Sequence, residues 1–217
     1  HSLTWSENGR TMTILDAIIL GIVEGITEYL PVSSTGHLVL ASSLLGLDQG
    51  ESARSVNALM IIIQGGAILA VLGLYRSRVL SMIRGVFGKD QAGLKLFVNV
   101  CVAFAPAAVL GVLLDDWIER HLFHAIPVLA ALGVGGVVMI WIGRGPKSLQ
   151  SGHSAESPGM DLTDLAPTAA LFIGSMQLLA MWPGVSRSMI TIVAAMLVGL
   201  RPARAAEFSF LLGLPTL

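Results

Sequence analysis

The feature that most constrains this chain is the recurrence of long apolar stretches without a charge. Residues 58–75, 125–142 and 165–182 each run 18 residues with no Asp, Glu, Lys or Arg, and 96–114 adds a fourth such stretch. Crossing the roughly 30 Å hydrocarbon core of a bilayer takes about 20 apolar residues. Inside lipid the backbone can satisfy its polar groups in this way only as helix. Composition agrees: 54% of residues are hydrophobic and 12% charged, with a mean hydropathy of +0.77, against roughly 25% charged in a soluble domain. The pattern predicts an all-α polytopic membrane protein of one domain, with transmembrane helices at 58–75, 96–114 and 125–142. A net charge of −1 carries no electrostatic footprint for nucleic acid. Cys101, alone inside an apolar stretch, reads as a small packing residue.

The termini are read with the same logic. Residues 1–11 are polar and are expected to be an added or trimmed start, with Met12 as native initiator. No signal peptide is expected, because the first apolar run carries Asp16, Glu24 and Glu28 and lacks a small-residue cleavage site. The connection 76–95 holds Arg76, Arg78, Arg84, Lys89 and Lys95, whereas 115–123 holds Asp115, Asp116 and Glu119 against Arg120. The excess of basic residues places the first connection in the cytoplasm and the second outside. The polar segment 143–164 then becomes a cytoplasmic loop.

Two apolar segments do not fit simple crossings. Residues 14–47 are interrupted by the polar stretch from Pro31 to His37, and 165–200 by PGVSRS at 183–188. Each reads as a re-entrant helical hairpin with its turn at membrane depth. Aligned with one inserted residue, YLPVSSTGHLVLASSLLGL (29–47) and MWPGVSRSMITIVAAMLVGL (181–200) share Pro, Val and Ser, then a polar triplet and a closing Gly-Leu. The fold class is therefore read as an inverted repeat, its two re-entrant hairpins meeting near the bilayer midplane. Residues 205–217 read as the start of a transmembrane helix truncated at Leu217, so that two or three further helices are expected beyond it.

Glu24, Glu28 and Arg187 sit inside this apolar framework. At about 2.5 to 3.5 kcal/mol for each charge at the bilayer centre, together they ask for about 8 to 10 kcal/mol. They must therefore be paired, hydrated or bound. Glu24 and Glu28 are four residues apart and share a helix face. Two hard carboxylates suit Mg²⁺ or Ca²⁺ bridging to a substrate phosphate; two carboxylates facing a water-filled vestibule is the plainer alternative. Ser33, Thr35, Gly36, Ser186 and Ser188 lie at the starts of two short helices, where backbone N–H groups favour an anion, although Ser and Thr there are often caps alone. Arg187 supplies a planar fork for phosphate, and Thr191 lies one turn on. Ser34 offers a hydroxyl nucleophile, and His37, three residues away, a group able to move a proton. These are the components of phosphoryl transfer.

LGIVEGITEYLPVSSTGH (20–37) and PGVSRSMIT (183–191) resemble the two signature stretches of the undecaprenyl-diphosphate phosphatase family, the bacitracin-resistance proteins. IIIQGGAILAVL (61–72) and ARAAEFSFLLGLP (203–215) resemble its flanking helices, so the likeness runs from Met12 to Leu217. It implies hydrolysis of a polyprenyl diphosphate lipid to the monophosphate carrier and inorganic phosphate, which recycles the carrier for wall synthesis. It further implies a divalent metal on Glu24 and Glu28, and a place in the bacterial plasma membrane with the site facing outward. By the same resemblance Ser34, His37 and Arg187 join the carboxylates as catalytic residues, while Ser186, Arg187 and Thr191 bind phosphate. Met60 departs from the family pattern, which has an acidic residue four positions before Gln64.

Two other classes share part of this pattern. A flippase or transporter of polyprenyl phosphate lipids would need the same repeat and anion clamp. The type 2 phosphatidic-acid phosphatases need a His six residues after the Ser-Arg pair, where this chain has Val193. Gly133, Gly135 and Gly136 permit close helix contacts and with them a homodimer.

Overall fold

The computed structural model describes residues 11–122, 125–144 and 160–217. Every regular element among them is helical. The order is α1 (Ile14–Thr27), α2 (Ser34–Leu44), α3 (Gly50–Leu74), α4 (Arg76–Val86), α5 (Gln91–Leu122), α6 (Ala125–Arg144), α7 (Pro167–Gln177), α8 (Arg187–Leu197) and α9 (Pro202–Thr216). Residues 1–10 of the expected start at 1–11 and most of the loop 143–164 lie outside the described residues.

Helix lengths divide these elements into two groups. At 1.5 Å per residue, α3, α5 and α6 measure about 37, 48 and 30 Å, enough to cross a bilayer, whereas α1, α2, α7 and α8 measure only about 16 to 21 Å. The runs Ser52–Leu74 and Gln91–Leu114 are both long and apolar enough to cross. Their outward faces are greasy: Ile61 is 74% exposed, Leu69 69% and Val112 84%. Contiguous exposed apolar surface of this kind needs a non-aqueous neighbour.

Local chemistry explains why the short helices start where they do. Thr13 caps α1 reciprocally with Asp16: the Asp16 N–H donates to Thr13 Oγ1 (3.3 Å) and the Thr13 N–H to Asp16 Oδ2 (2.9 Å). That capping box accounts for an acid at the head of an apolar run. Ser33 caps α2 and Ser186 caps α8. Between them run two tight turns that are pinned from outside. The Tyr29 hydroxyl donates to Ala67 O of α3 (2.6 Å), and its ring meets Phe210 of α9 edge-on at 5.4 Å. Trp182 Nε1 donates to Pro127 O of α6 (3.2 Å). Gly184 has φ +97°, and a Cβ there would lie 2.5 Å from Val128 O, so the second turn accepts only glycine at that position.

The main core lies among α5, α7, α8 and α9, where Ala103, Ile173, Ala195 and Phe208 are fully buried. A smaller cluster of Leu20, Leu38, Leu47 and Val56 joins α1, α2 and α3. Gly174 brings α7 against the backbone of α5, since a Cβ there would strike Ala103 O. In the first half of α9, Glu207 is buried and accepts from Arg78 Nε (2.7 Å) and Arg204 Nη1 (2.6 Å).

Two of the connections between the apolar stretches are largely helical. Most of 76–95 is the helix α4, folded back on α5 around a turn in which Ser81 and the Gly93 N–H bond to Asp90. Val79, Met82 and Gly85 recur at helical spacing on the face it turns toward α5 and the core. The segment 115–123 is likewise mostly the last turns of α5 and not a loop.

Candidate active site

The two pinned turns meet. The Ser188 hydroxyl donates to Leu30 O (3.2 Å), and Arg187 Nη2 donates to Glu28 Oε1 (2.7 Å). A cavity of about 670 Å³ opens over this junction. Glu24, Thr27, Glu28, Ser33, Ser34 and Thr35 line it from the first turn; Ser186, Arg187 and Ser188 face them from the second. Nine polar residues predicted or positioned by the two motifs thus converge on one volume, from segments about 150 positions apart in sequence.

Glu28 is the hub. It is 9% exposed, and besides its pair with Arg187 it accepts a hydrogen bond from the Ser34 hydroxyl on its other oxygen. A buried carboxylate engaged on both oxygens is neutralised as well as held. Glu24, one turn earlier, is 4% exposed, and its Oε2 has no hydrogen-bond partner among the described residues. An orphaned buried carboxylate oxygen on a residue that lines a polar cavity needs an explanation. The two glutamates are therefore not equivalent: one is paired within the protein and the other keeps an oxygen without a partner among the described residues.

The first turn is also strained. Ser33 has φ +66° and ψ +97°, the one described residue other than glycine with positive φ. Its side chain accepts from the Gly36 N–H (3.4 Å), and its carbonyl lies 2.8 Å from His37 Nδ1. A carbonyl can only accept, so Nδ1 carries the proton. Strain of this type persists only where surrounding contacts over-determine it.

Three residues singled out from sequence lie elsewhere. His37 lines an adjoining, more apolar cavity of about 380 Å³ between α2 and α6, together with Leu132, Gly135, Gly136 and Met189. Gly36 packs on α6, where a Cβ would come within 2.6 Å of Leu132. Thr191 is fully buried behind Arg187, with its hydroxyl bonded to Ser209 Oγ (2.6 Å) and Arg187 O (2.8 Å). Conversely, Asn57 and Gln64 line the main cavity beside Met60, and neither was singled out as a site residue. Their positions seven apart on α3 share a face, but polar residues in a helix give no signal until that face is known to look inward. Among the described residues no third His, Cys, Asp or Glu joins the pair as a metal-binding group.

Comparison with known proteins identifies the family. The family described as bacitracin resistance protein BacA matches residues 17–217. A Clostridium tetani protein named undecaprenyl-diphosphatase is 41% identical over 206 residues, covering 95% of this chain and 72% of its own length. Undecaprenyl-diphosphatase 1 of Stutzerimonas stutzeri is 46% identical over 203 residues, covering 94% and 69% respectively. A Sorangium cellulosum undecaprenyl-diphosphatase is 46% identical over 202 residues, covering 93% and 63%.

Proposed function

The chain belongs to the BacA bacitracin resistance family, and on that footing we propose that it is a membrane-embedded phosphatase that hydrolyses undecaprenyl diphosphate to undecaprenyl phosphate and inorganic phosphate. The observation that carries the reading is the hydrogen-bonded series Ser34–Glu28–Arg187 at the meeting of the two helix starts. A hydroxyl, a carboxylate able to take its proton and a guanidinium able to take phosphate charge stand within one cavity. Phosphoryl transfer needs chiefly such positioning and neutralisation.

The steps follow from the contacts. The diphosphate enters the cavity and its terminal phosphate lies between Arg187 and the N-terminal turns of α2 and α8, where N–H groups point at an anion. Ser34 Oγ attacks the terminal phosphorus while Glu28 accepts its proton. The anhydride P–O bond breaks, leaving the lipid monophosphate and a phosphoryl group on Ser34. Water then attacks that phosphorus and releases inorganic phosphate, and the proton returns to Ser34. His37, bonded through Nδ1–H to the strained Ser33 carbonyl, holds the turn that presents Ser34.

A divalent cation, Mg²⁺ or Ca²⁺, fits the donors present. The unpartnered carboxylate of Glu24 would hold it with Glu28 and with the amide oxygens of Asn57 and Gln64. Hard oxygen donors with one or two carboxylates are the usual setting for such ions beside phosphates. Bound there, it would neutralise charge developing on the diphosphate.

We assign the short helix pairs α1–α2 and α7–α8 to re-entrant hairpins of an inverted repeat, supported by their length and their two Ser-capped turns. The basic residues around α4 favour a cytoplasmic location for that end, so that the cavity opens outward in the plasma membrane. The exposed apolar faces of α3 and α5 accommodate lipid, and the glycines of α6 leave room for a second subunit.

Phosphate release from undecaprenyl diphosphate in detergent micelles, with and without EDTA, tests the reading. Release is expected from the wild type and lost in EDTA and in Arg187→Ala. Lipid binding without any phosphate release would replace the phosphatase by a carrier of polyprenyl phosphates.

A further inference from the structure

The charged tip of Arg187 is held from behind as well as in front. Nη1 donates to Ser209 O of α9 at 3.4 Å, using the second lone pair that a helical carbonyl keeps after its ladder bond. The hydroxyl of the same Ser209 is bonded at 2.6 Å to Thr191, whose Oγ1 also donates to Arg187 O at 2.8 Å. Ser209 and Thr191 are both fully buried. One residue of α9 therefore fixes the arginine at both ends, through its side chain near the backbone and through its carbonyl at the guanidinium. One turn on, at the i+4 position of the same face, stands Gly213. A Cβ there would lie 2.9 Å from Arg187 Nη1 and 3.3 Å from Nη2. The next residue of the face, Leu217, lines the main cavity.

We propose that the Ser209–Gly213 face of α9 is a bracket that positions the Arg187 guanidinium for phosphate, with Gly213 the residue that leaves the space it occupies. This rests on the phosphatase reading of the same cavity. Neither residue touches substrate; both act through Arg187. Glycine inside a helix is unfavourable relative to alanine, so its presence at this point of α9 calls for a gain elsewhere, and the guanidinium against its Cα supplies one. A long arginine fixed in advance at three points contributes to the transition state without having to be ordered when substrate binds.

The test compares Gly213→Ala and Ser209→Ala in the wild-type and Arg187→Lys backgrounds, by steady-state phosphate release from undecaprenyl diphosphate. A guanidinium displaced by about 1 Å predicts a loss near 100-fold in kcat for Gly213→Ala. Ser209→Ala, which spares the carbonyl, is expected to lose about five- to tenfold. In the Arg187→Lys background both losses shrink below about threefold, because the shorter, unforked side chain no longer uses the bracket. Equal losses in both backgrounds, or none for Gly213→Ala, would overturn the proposal. A structure of Gly213→Ala decides it independently of the chemistry. The bracket predicts that Arg187 leaves Glu28; an unchanged ion pair beside the new methyl group refutes it, even where a wild type that releases no phosphate has removed the phosphatase reading.

Discussion

The Glu28–Arg187 pair joins the two halves of the site, and its energetic behaviour can be worked out from its surroundings. The two side chains are 9% and 17% exposed, and they meet at 2.7 Å. Removing one partner leaves the other charge buried, which for enclosed pairs costs about 3 to 5 kcal/mol. Here the pair borders a polar cavity that water can enter, so about 3 kcal/mol, the lower end of that range, is expected for Arg187→Gln. Glu28→Gln strands the guanidinium, but the Ser209 carbonyl still accepts from it, so about 2 kcal/mol is expected, near the worth of one hydrogen bond to a charged group. The double variant removes both charges and leaves two amides able to bond to each other. It should cost about 2 kcal/mol, giving a coupling near 3 kcal/mol. Unfolding by a denaturing detergent titrated into mild micelles measures all four corners of the cycle. Additivity within about 0.5 kcal/mol would show that the two charges do not depend on each other, and the argument that membrane-depth charges must be paired would fail for this protein.

Other perturbations test separate parts of the account. Glu24→Gln removes the unpartnered carboxylate without touching the Ser34–Glu28–Arg187 series. It should shift the Mg²⁺ concentration for half-maximal phosphate release by at least about tenfold, and an unshifted titration would remove Glu24 from the metal site. Gly174→Val drives a side chain into the Ala103 carbonyl and should destabilise by about 1 to 3 kcal/mol in the same unfolding assay. The Ser81 hydroxyl and the Gly93 N–H hold the Asp90 carboxyl below the usual carboxylate range. The stabilisation this gives the α4–α5 turn is present above the unfolded-state value and is lost as pH falls through the folded one. Hydrogen exchange at the Gly93 amide should therefore lose protection on acidification in the wild type, and show no such step in Asp90→Asn.

The motifs were legible because each has a strong local cause. Pro31 and Pro183 interrupt apolar runs, and the serines that follow, Ser33 and Ser186, are the residue type that caps helices, so both helix starts could be placed from sequence alone. The cost of charge in lipid predicted that Glu28 and Arg187 would need partners, but not that they would choose each other; that depends on the packing of Tyr29 and Trp182, which pin the two turns face to face. Five basic residues dominate the connection at 76–95, and the helix within it is signalled only weakly, by the spacing of Val79, Met82 and Gly85. Ser209 and Gly213 carry no signature at all. Their importance comes from the approach of α9 to a side chain 22 to 26 residues away, which no local pattern encodes. His37 shares a helical turn with Ser34, yet its ring lines the cavity beside α6, held there by the bond from its Nδ1 to the Ser33 carbonyl.

The most direct test of the central claim is the turnover of Ser34→Ala with undecaprenyl diphosphate and saturating Mg²⁺, measured as phosphate released per protein per second. With Ser34 as the nucleophile and Glu28 as its proton acceptor, release should fall by more than about a thousandfold, while the unfolding curve stays close to that of the wild type. Near-normal turnover by Ser34→Ala would contradict the account and assign the attack on phosphorus to water.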